Sequence, residues 1–371
     1  MRALVIAAML TLSAAPFKAF AGDWTETIKV NGDLRYRHEM IDMEGKDARH
    51  RHRVRARLGV FGEVSPYTKV GIQLATGSDD PVSTNQTLGD AFSTKPIGID
   101  LAYFQAQHHA LSGLTVTGGK FNNPFFKPGG SELIWDSDWN PEGGVASFKR
   151  DIDNVSLTLI GAGLWINESS SDDSYMAAAQ GVVRFRFDEK KSSLAVGGGY
   201  FNYANTEGFE AFYESDDPKG NSLAAVVDTL GNTTGYVYAT DYDIFELLAE
   251  ATTEINETPV TLMVDYVGNS AADSLDTGWL VGFMAGHAKD PGSWEFRYIY
   301  REVEKDAVVG AFTDSDFRGG GTDAKGHEIG GAVALAKGTA FGITCFINEI
   351  GLDADDPIGF NRLQVDLQLK F

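Results

Sequence analysis

The chain has 371 residues, of which 43% are hydrophobic and 22% charged, and its formal net charge at pH 7 is −21. The acidic excess argues against a nucleic-acid-binding protein, which would carry a basic surface. The one cysteine excludes a disulfide framework and a cysteine-rich zinc site. After the N-terminus no stretch reaches the roughly 18 apolar residues of a transmembrane helix, so a helical membrane protein is excluded as well.

The first residues have the pattern of a secretory signal peptide. Arg2 precedes a short apolar run, and Ala19 and Ala21 form an A-x-A-like cleavage site. We therefore predict that residues 1–21 are cleaved and that residues 22–371 are exported as a single domain. The alternative, a retained membrane anchor, lacks a following stop-transfer pattern.

Period-2 alternation dominates the rest of the chain. From Leu363 to Phe371 every second residue is apolar and the residues between are polar, which indicates a half-buried strand. Similar segments recur along the chain. The predicted strands are 27–40, 50–64, 69–77, 97–109, 114–121, 143–150, 155–167, 175–187, 193–203, 236–254, 260–269, 277–288, 293–304, 326–336, 339–349 and 359–371.

The connections between these strands alternate between turn-sized clusters of Gly, Pro, Asn, Asp or Lys and longer acidic stretches. Seven turns and eight loops join sixteen strands of about ten residues, the length of a tilted bilayer span. An even strand number, short turns on one side and longer loops on the other predict an all-β fold, an antiparallel up-and-down transmembrane β-barrel of sixteen strands with short periplasmic turns and long extracellular loops. A soluble sandwich would not separate its connections by length in this way.

Aromatic residues near the predicted strand ends support the membrane interpretation, since such barrels carry aromatic girdles at both interfaces. The alternative is that aromatic residues simply favour strands. The residues are Trp24, Phe61, Tyr67, Trp165, Phe187, Tyr203, Trp279, Trp294 and Phe371.

Five arginines, from Arg49 to Arg57 at every second position, are the sharpest local feature. In a strand they share one face. That face cannot be the lipid face, because each Arg near the bilayer midplane costs about 2–4 kcal/mol. With the preceding strand we predict a basic wall that lines the pore, formed by Arg35, Arg37, Arg51, Arg53, Arg55 and Arg57. The alternative is an internal salt-bridge network that plugs the barrel, with Asp33, Glu39 and Glu63 as partners.

Several segments together carry a family resemblance. GDLRYRHEMIDMEGKDARHRHRVRARLG, GIQLATGSDDPVSTNQTLGDAFSTKPIGIDLAYF and LTVTGGKFNNPFFKPGGSELIWDSDWNPEG resemble the putative porin family of Gram-negative outer membranes. The terminal LQVDLQLKF is similar to the last strand by which many outer-membrane barrels are recognised for insertion. The resemblance covers about Asn31 to Phe371 and implies a passive channel, a homotrimer and a place in the outer membrane.

The resemblance also suggests a role for residues 122–142. In sixteen-stranded general porins the third external loop folds into the barrel and faces a basic wall with its acids. We therefore expect residues 122–142 to form the constriction loop, although they lack the loop motif of the general porins. The expected acids are Glu132, Asp136 and Asp138, opposing Arg35, Arg37, Arg53 and Arg55. The alternative is a solvated loop with aromatic anchors.

The sequence thus predicts an outer-membrane porin that passes small hydrophilic solutes and ions by passive diffusion, with a weak anion preference. Its expected partners are outer-membrane lipid, those solutes and two further copies of the chain, and no nucleic acid. No pattern indicates a metal or a cofactor. A barrel enzyme is disfavoured because no lipid-facing Ser/His pair stands out. The main alternative is a structural, adhesive or receptor barrel with a closed lumen.

Overall fold

The computed structural model describes residues 27–169 and 172–371. The predicted signal peptide, residues 1–21, lies outside this part of the chain, as does Trp24. The described residues contain no helix long and apolar enough to cross a membrane. They form β-strands joined by loops, with three 3-10 helices of three residues each in the connections.

Nineteen strands occur in the described residues. Their bounds are β1 (Ile28–Met43), β2 (Arg49–Ser65), β3 (Thr68–Thr76), β4 (Gln86–Thr87), β5 (Ile97–Gln107), β6 (Leu114–Lys120), β7 (Glu142–Ile152), β8 (Val155–Asn167), β9 (Ser174–Phe187), β10 (Ser192–Ala204), β11 (Leu223–Val227), β12 (Thr233–Tyr238), β13 (Tyr242–Ile255), β14 (Thr258–Asn269), β15 (Thr277–Gly286), β16 (Trp294–Val303), β17 (Ala324–Ala336), β18 (Thr339–Ile350) and β19 (Ile358–Lys370). Sixteen of them form one antiparallel barrel. The short β4 adds to the edge of β2, and β11 and β12 form a separate hairpin.

The barrel closes through the pairing of its first and last strands. Leu34 of β1 lies opposite Leu369 of β19 in the ladder. Beside the ladder, Gly32 and Phe371 exchange two backbone hydrogen bonds, each 3.0 Å long. Closure pairs every strand edge, which a bilayer requires because no water is available there to bond a free amide or carbonyl.

Alternate residues of the strands face outward and are apolar. On β14, Val264 is 50% exposed, whereas its neighbour Met263 is 1% exposed. On β13, Leu247 is exposed and Leu248 is buried. Large aliphatic side chains on the outside of a closed barrel are typical of a surface in contact with lipid hydrocarbon. On β19 the outward Leu367 is apolar and the inward Asp366 is polar, which is the alternation that the sequence predicts.

The connections follow the predicted order. On one rim they contain two to seven residues, at 66–67, 108–113, 153–154, 188–191, 256–257, 287–293 and 337–338. On the other rim they contain five to 37 residues, and we number them loops 1 to 8, at 44–48, 77–96, 121–141, 168–173, 205–241, 270–276, 304–323 and 351–357. The sixteen-stranded barrel predicted from the sequence is therefore confirmed.

The tenth barrel strand is shorter than predicted. The sequence pattern begins it at residue 236, whereas β13 begins at Tyr242. The residues before it belong to β12, which pairs with β11 inside loop 5. Asp241 then accepts hydrogen bonds from Thr206 Oγ1 and Glu207 N, which separates the hairpin from the barrel strand. Both strands alternate with period 2, so the pattern alone does not show the break.

Two aromatic residues expected at the membrane interface, Phe61 and Tyr203, face the inside of the barrel instead. Phe61 shares a face of β2 with the inward Arg57. Tyr67, Trp165 and Phe371 are exposed near strand ends, as predicted. Tyr203 is buried on the inner face, with its ring 6.4 Å from that of Tyr242. The reason is its register, since it lies an even number of residues from the inward Phe201.

Replacement of Val264 by Arg tests the assignment of the outer face. The guanidinium would enter the lipid near the middle of β14, so we expect the free energy of unfolding to fall by about 2–4 kcal/mol. Urea unfolding of protein refolded into lipid vesicles measures this value. Leu230→Arg, on the exposed part of loop 5, is the matched control and should change stability by about 0.5 kcal/mol or less. Equal losses in the two variants would contradict a lipid-facing Val264.

Candidate functional site

The inner face of β1 and β2 carries the basic wall predicted from the sequence. Its members are Arg35, Arg37, Arg51, Arg53, Arg55 and Arg57. In the strand register Arg35 lies opposite Arg55, and Arg37 lies opposite Arg53. Like charges placed directly opposite each other destabilise a sheet. The wall therefore depends on acceptors supplied by its surroundings.

Two acids on β1 supply part of that compensation. Asp33 accepts hydrogen bonds from Arg55 Nη2 at 2.9 Å and from Arg57 Nε at 2.7 Å. Glu39 is fully buried and accepts a hydrogen bond from Arg51. Each acid lies opposite an arginine in the ladder, Asp33 opposite Arg57 and Glu39 opposite Arg51.

Two other residues considered from the sequence lie apart from these contacts. Arg49 begins β2 at the end of the wall, opposite Ile41, and is exposed. Glu63 forms an ion pair of 3.5 Å with Lys69 of β3, in which both side chains are more than half exposed. Glu63 is thus not a partner of the arginines.

Loops 2 and 7 supply further acceptors from inside the barrel. The Asn85 side chain of loop 2 accepts a hydrogen bond from Arg35 Nη2 at 2.7 Å, and its backbone carbonyl accepts one from Arg53 Nη2 at 3.1 Å. Asp316 of loop 7 accepts from Arg37 Nη1 at 3.0 Å. Two loops that are distant in sequence therefore meet the same wall.

Strand β19 completes the network. The Asp366 carboxylate accepts a bidentate pair of hydrogen bonds from Arg37, one from Nε and one from Nη2, each 2.8 Å long. Arg362 donates to Asp316 at 2.9 Å and lies 3.7 Å from Glu39. Burial alone would raise the pKa of Asp316, but Arg37 and Arg362 hold it well below its ordinary range.

Loop 3 lies inside the barrel and follows its inner wall. The backbone of Phe126 exchanges two hydrogen bonds with the Gln180 side chain of β9, at 2.7 and 3.0 Å. Further along, Ser131 Oγ donates to Asp265 of β14 at 2.7 Å. The loop thus runs from β9 to β14 before it returns toward β2.

Asp138 is the acid of loop 3 that meets the basic wall. Its Oδ1 lies 3.4 Å from Arg55 Nη1 and 3.6 Å from Arg57 Nη1. Its Oδ2 accepts a hydrogen bond from Thr84 Oγ1 of loop 2 at 2.8 Å. Burial raises the pKa of Asp138, but Arg55 and these further contacts outweigh it and lower the pKa. Asp138 therefore joins loop 3 to β2 and loop 2.

Glu132 and Asp136 do not face the basic wall, which differs from the expectation. Together with Asp314 of loop 7 they form a carboxylate cluster whose oxygens lie within 4.8 Å of one another. Asp136 Oδ2 also accepts a hydrogen bond from Ser315 N at 2.7 Å. The difference arises because loop 7 enters the lumen as well and binds this part of loop 3.

The carboxylate cluster has the spacing of a metal site among the described residues. Arg301 Nη2 lies 2.5 Å from Asp314, so one of the three carboxylates is already paired with a guanidinium group. Burial, and then the nearby Asp314, raise the pKa of Glu132 to about 7. Burial and Glu132 raise the pKa of Asp136 well above its ordinary value. Arg301 thus pairs with one carboxylate, and burial and the mutual approach of the other two favour their protonated forms; the cluster carries no metal assignment.

Aromatic side chains from loops 3 and 7 pack within the lumen. Trp135 is fully buried, stacks on Trp139 at 5.2 Å between ring centroids and meets Phe201 of β10 edge-on at 4.6 Å. Phe312 of loop 7 lies 6.0 Å from Trp139. Phe201 and Phe312 are not among the residues predicted from the sequence. A signal exists at β10, where both the outward Tyr200 and the inward Phe201 are aromatic.

Other parts of the lumen are accessible to water. Four inward-facing arginine side chains keep exposures of 23–27%, namely Arg57, Arg184, Arg186 and Arg297. By contrast Arg37, Arg301 and Arg362, which contact loop 7, are 5% exposed or less. The lumen is thus packed where loops 3 and 7 meet and hydrated along strand halves that lead to the short turns.

Comparison with known proteins agrees with this architecture. A family model described as "Putative porin" matches residues 43–371. The match covers most of the chain, so the chain belongs to this porin family. A search of curated proteins found no match.

Solved porin structures share the fold at low sequence identity. A high-pH structure of Pseudomonas putida OprB is 12% identical with a TM-score of 0.57, covering 94% of this chain and 95% of that one. Salmonella typhi OmpF in complex with daunomycin is 11% identical with a TM-score of 0.56, covering 93% and 97%. A loop L8 deletion mutant of OmpT, an outer membrane protein of Vibrio cholerae, is 13% identical with a TM-score of 0.51, covering 93% and 100%. The chain therefore has the fold of a transmembrane porin barrel.

The carboxylate cluster predicts that the contact between loops 3 and 7 depends on pH. The pKa of Glu132 is about 7 in the folded protein against 4.5 ordinarily, so the folded state holds an extra proton between these values. The stabilisation is complete below about pH 4.5 and is lost as pH rises through about 7. We expect hydrogen exchange of loop 3 amides, corrected for intrinsic rates, to accelerate as the pH rises from about 5 to about 8.

Glu132→Gln removes the titration of this group and should weaken the pH dependence of loop 3 exchange over that range, leaving the part contributed by Asp136. The matched control is Glu142→Gln, at the far end of the loop, where the carboxylate is largely exposed and pairs with Lys120 at 3.0 Å. The control should keep the pH dependence of the unmodified protein. An unchanged pH dependence in Glu132→Gln would exclude Glu132 as its source.

Proposed function

We propose that the protein lies in the outer membrane of a Gram-negative bacterium and passes small hydrophilic solutes and ions by passive diffusion. The observation that carries this proposal is the partial exposure of Arg57, Arg184, Arg186 and Arg297 inside a closed barrel. Charged groups on an inner wall retain such exposure only beside water. A hydrated lumen enclosed by a lipid-facing barrel is the physical requirement for a porin.

We propose that residues 122–142 form the constriction. Loop 3 brings Asp138 to within 3.4 Å of Arg55, so charges of both signs stand in the narrowed lumen. A field between such charges orients water, and an apolar solute would have to displace that water to pass. Small polar and charged solutes are therefore favoured.

We propose a weak anion preference. Seven arginines of β1, β2 and β19 face five carboxylates in the network described above, which leaves an excess of positive charge. Arg35 contributes most directly, because its partner is the neutral Asn85 and not a carboxylate. The acidic extracellular loops oppose this preference at the mouth.

The family resemblance supports a trimeric assembly, and the N-terminal sequence supports cleavage of a signal peptide. We propose a homotrimer in outer-membrane lipid, formed after cleavage of residues 1–21. The charges of the site oppose one another and the chain belongs to a porin family, so we propose a channel and not an enzyme.

A second function is a structural, adhesive or receptor barrel with a closed lumen. The observation that favours it is the aromatic packing of Trp135, Phe201 and Phe312 between loops 3 and 7, together with the buried arginine pairs. In that case the long loops 5 and 7 would present the binding surface.

Single-channel recording separates the two functions. Refolded protein in a planar bilayer should give stable current steps, and a salt gradient should give a reversal potential of the sign expected for anion preference. A reversal potential favouring cations would refute the anion preference alone. Folded, heat-modifiable protein without current steps would instead support the closed barrel.

Arg35→Gln tests the source of selectivity. We expect the anion-to-cation permeability ratio to fall, by about twofold, because the variant removes a lumenal charge that lacks a carboxylate partner. Arg150→Gln is the matched control, since Arg150 lies on the opposite face of its strand from the inward Lys149. Equal permeability ratios for Arg35→Gln and the unmodified protein would rule out this arginine as a determinant.

A further inference from the structure

A cavity of about 360 Å³ lies between loop 3 and the inner face of β7, β8 and β9. It is separate from the basic wall of β1 and β2. Its volume falls within the roughly 300–1,000 Å³ range of small-molecule sites. Its lining includes three cationic and three apolar side chains, namely Lys149, Arg184, Arg186, Phe126, Ile160 and Val182.

The strand register places Arg184 and Arg186 at the end of the cavity nearest the turn between β7 and β8, and Lys149 level with Val182. Lys149 of β7 lies opposite Thr158 of β8, and Ser156 of β8 lies opposite Arg184 of β9. Arg186 lies two residues beyond Arg184 and so shares its face. Both arginines lie close to the turn between β7 and β8, so the charged end faces the hydrated part of the lumen.

Arg184 has a fixed position. Its Nη2 donates to Glu250 at 2.9 Å, and its Nη1 donates to Ser193 Oγ at 3.1 Å. Its guanidinium carbon lies 5.4 Å from the centre of the Phe126 ring, a cation–π contact. Arg184 therefore forms part of the wall and links the strands to loop 3.

Lys149 and Arg186 are available to a ligand. Lys149 is exposed and forms no ion pair with the carboxylates of the described residues. Arg186 Nη1 lies 3.5 Å from Asp151, but the Asp151 side chain is 57% exposed and such pairs are weak. Against three cations the cavity has two acids, Asp151 and Glu250, so one positive charge is uncompensated.

The other end of the cavity is apolar. Pro124 and Phe126 of loop 3 are partly exposed there, next to the nearly buried Ile160 and Val182 of the wall. An inorganic anion would leave this surface in contact with water. An organic acid would cover it and gain the free energy of burying apolar area.

We propose that this cavity binds small organic monocarboxylates that have an apolar body of about the size of benzoate. The carboxylate meets Lys149 and Arg186, and the hydrocarbon packs against Phe126, Ile160 and Val182. The subsite rests on the proposed channel function, because the anion reaches it through the lumen. The bound carboxylate then occupies the lumen beneath loop 3 and interrupts the flow of smaller ions.

Titration calorimetry of the full chain in detergent, with benzoate and acetate as probes, tests the binding. Benzoate should bind at least about tenfold more tightly than acetate, because only benzoate covers the apolar end. In planar bilayers, benzoate should also produce brief interruptions of the chloride current, and acetate at the same concentration should not.

Three variants separate the two ends of the cavity. Lys149→Gln combined with Arg186→Gln should weaken benzoate binding by about tenfold or more, because the carboxylate loses its charged donors. Val182→Thr, which keeps the side-chain shape, should weaken benzoate and leave acetate unchanged. Lys69→Gln, on β3 and outside the cavity, is the matched control and should bind as the unmodified protein does.

The outcomes distinguish the subsite from the channel. Equal affinities for benzoate and acetate, or an unchanged affinity in the double variant, would overturn the subsite even if the protein conducts ions. Folded protein without ion current would overturn the proposed function, while calorimetry still reports on the subsite separately.

Discussion

The charge of the arginine wall determines where the loops lie. Guanidinium groups remain charged at every relevant pH, and a row of them is excluded from the lipid face. Inside the barrel each still needs an acceptor, and β1 offers only two acids to the wall. Asp366 of β19 supplies a further acceptor, and Asn85, Asp138 and Asp316 supply the others from loops 2, 3 and 7. Compensation of one strand pair therefore draws three loops into the lumen.

The inward position of loops 3 and 7 then produces the other features of the site. Their approach brings Glu132 and Asp136 against Asp314, where water is scarce and the carboxylates hold protons more strongly. The same approach buries Trp135 against Phe201. The lumen consequently has a packed part that fixes the loops and a hydrated part whose walls remain charged. Any solute path must follow the second part.

The barrel could be predicted from the sequence because alternation is a local property. On β19 the outward Leu367 is apolar and the inward Asp366 is polar, and this alternation of period 2 is visible in the sequence itself; turn residues mark where each strand ends. The local pattern does not separate two neighbouring strands that both alternate with period 2, such as β12 of the loop 5 hairpin and β13 of the barrel. The partners of Glu132 and Asp136 could not be predicted, since they depend on a loop that is far away in sequence. Asp138 faces Arg55, but no local rule distinguishes it from the other two acids.

The closure of the barrel has a consequence for the order of folding. Asp33 of β1 lies opposite Lys370 of β19, 337 positions later in the chain. Contacts between such distant positions carry a large loop-closure entropy and form late. Until they form, both terminal strands expose unpaired edges that readily pair with other chains. The pairing of these two strands is thus the step at which a nascent chain either completes its barrel or aggregates. A factor that shields β1 until β19 arrives would decide the yield of folded protein.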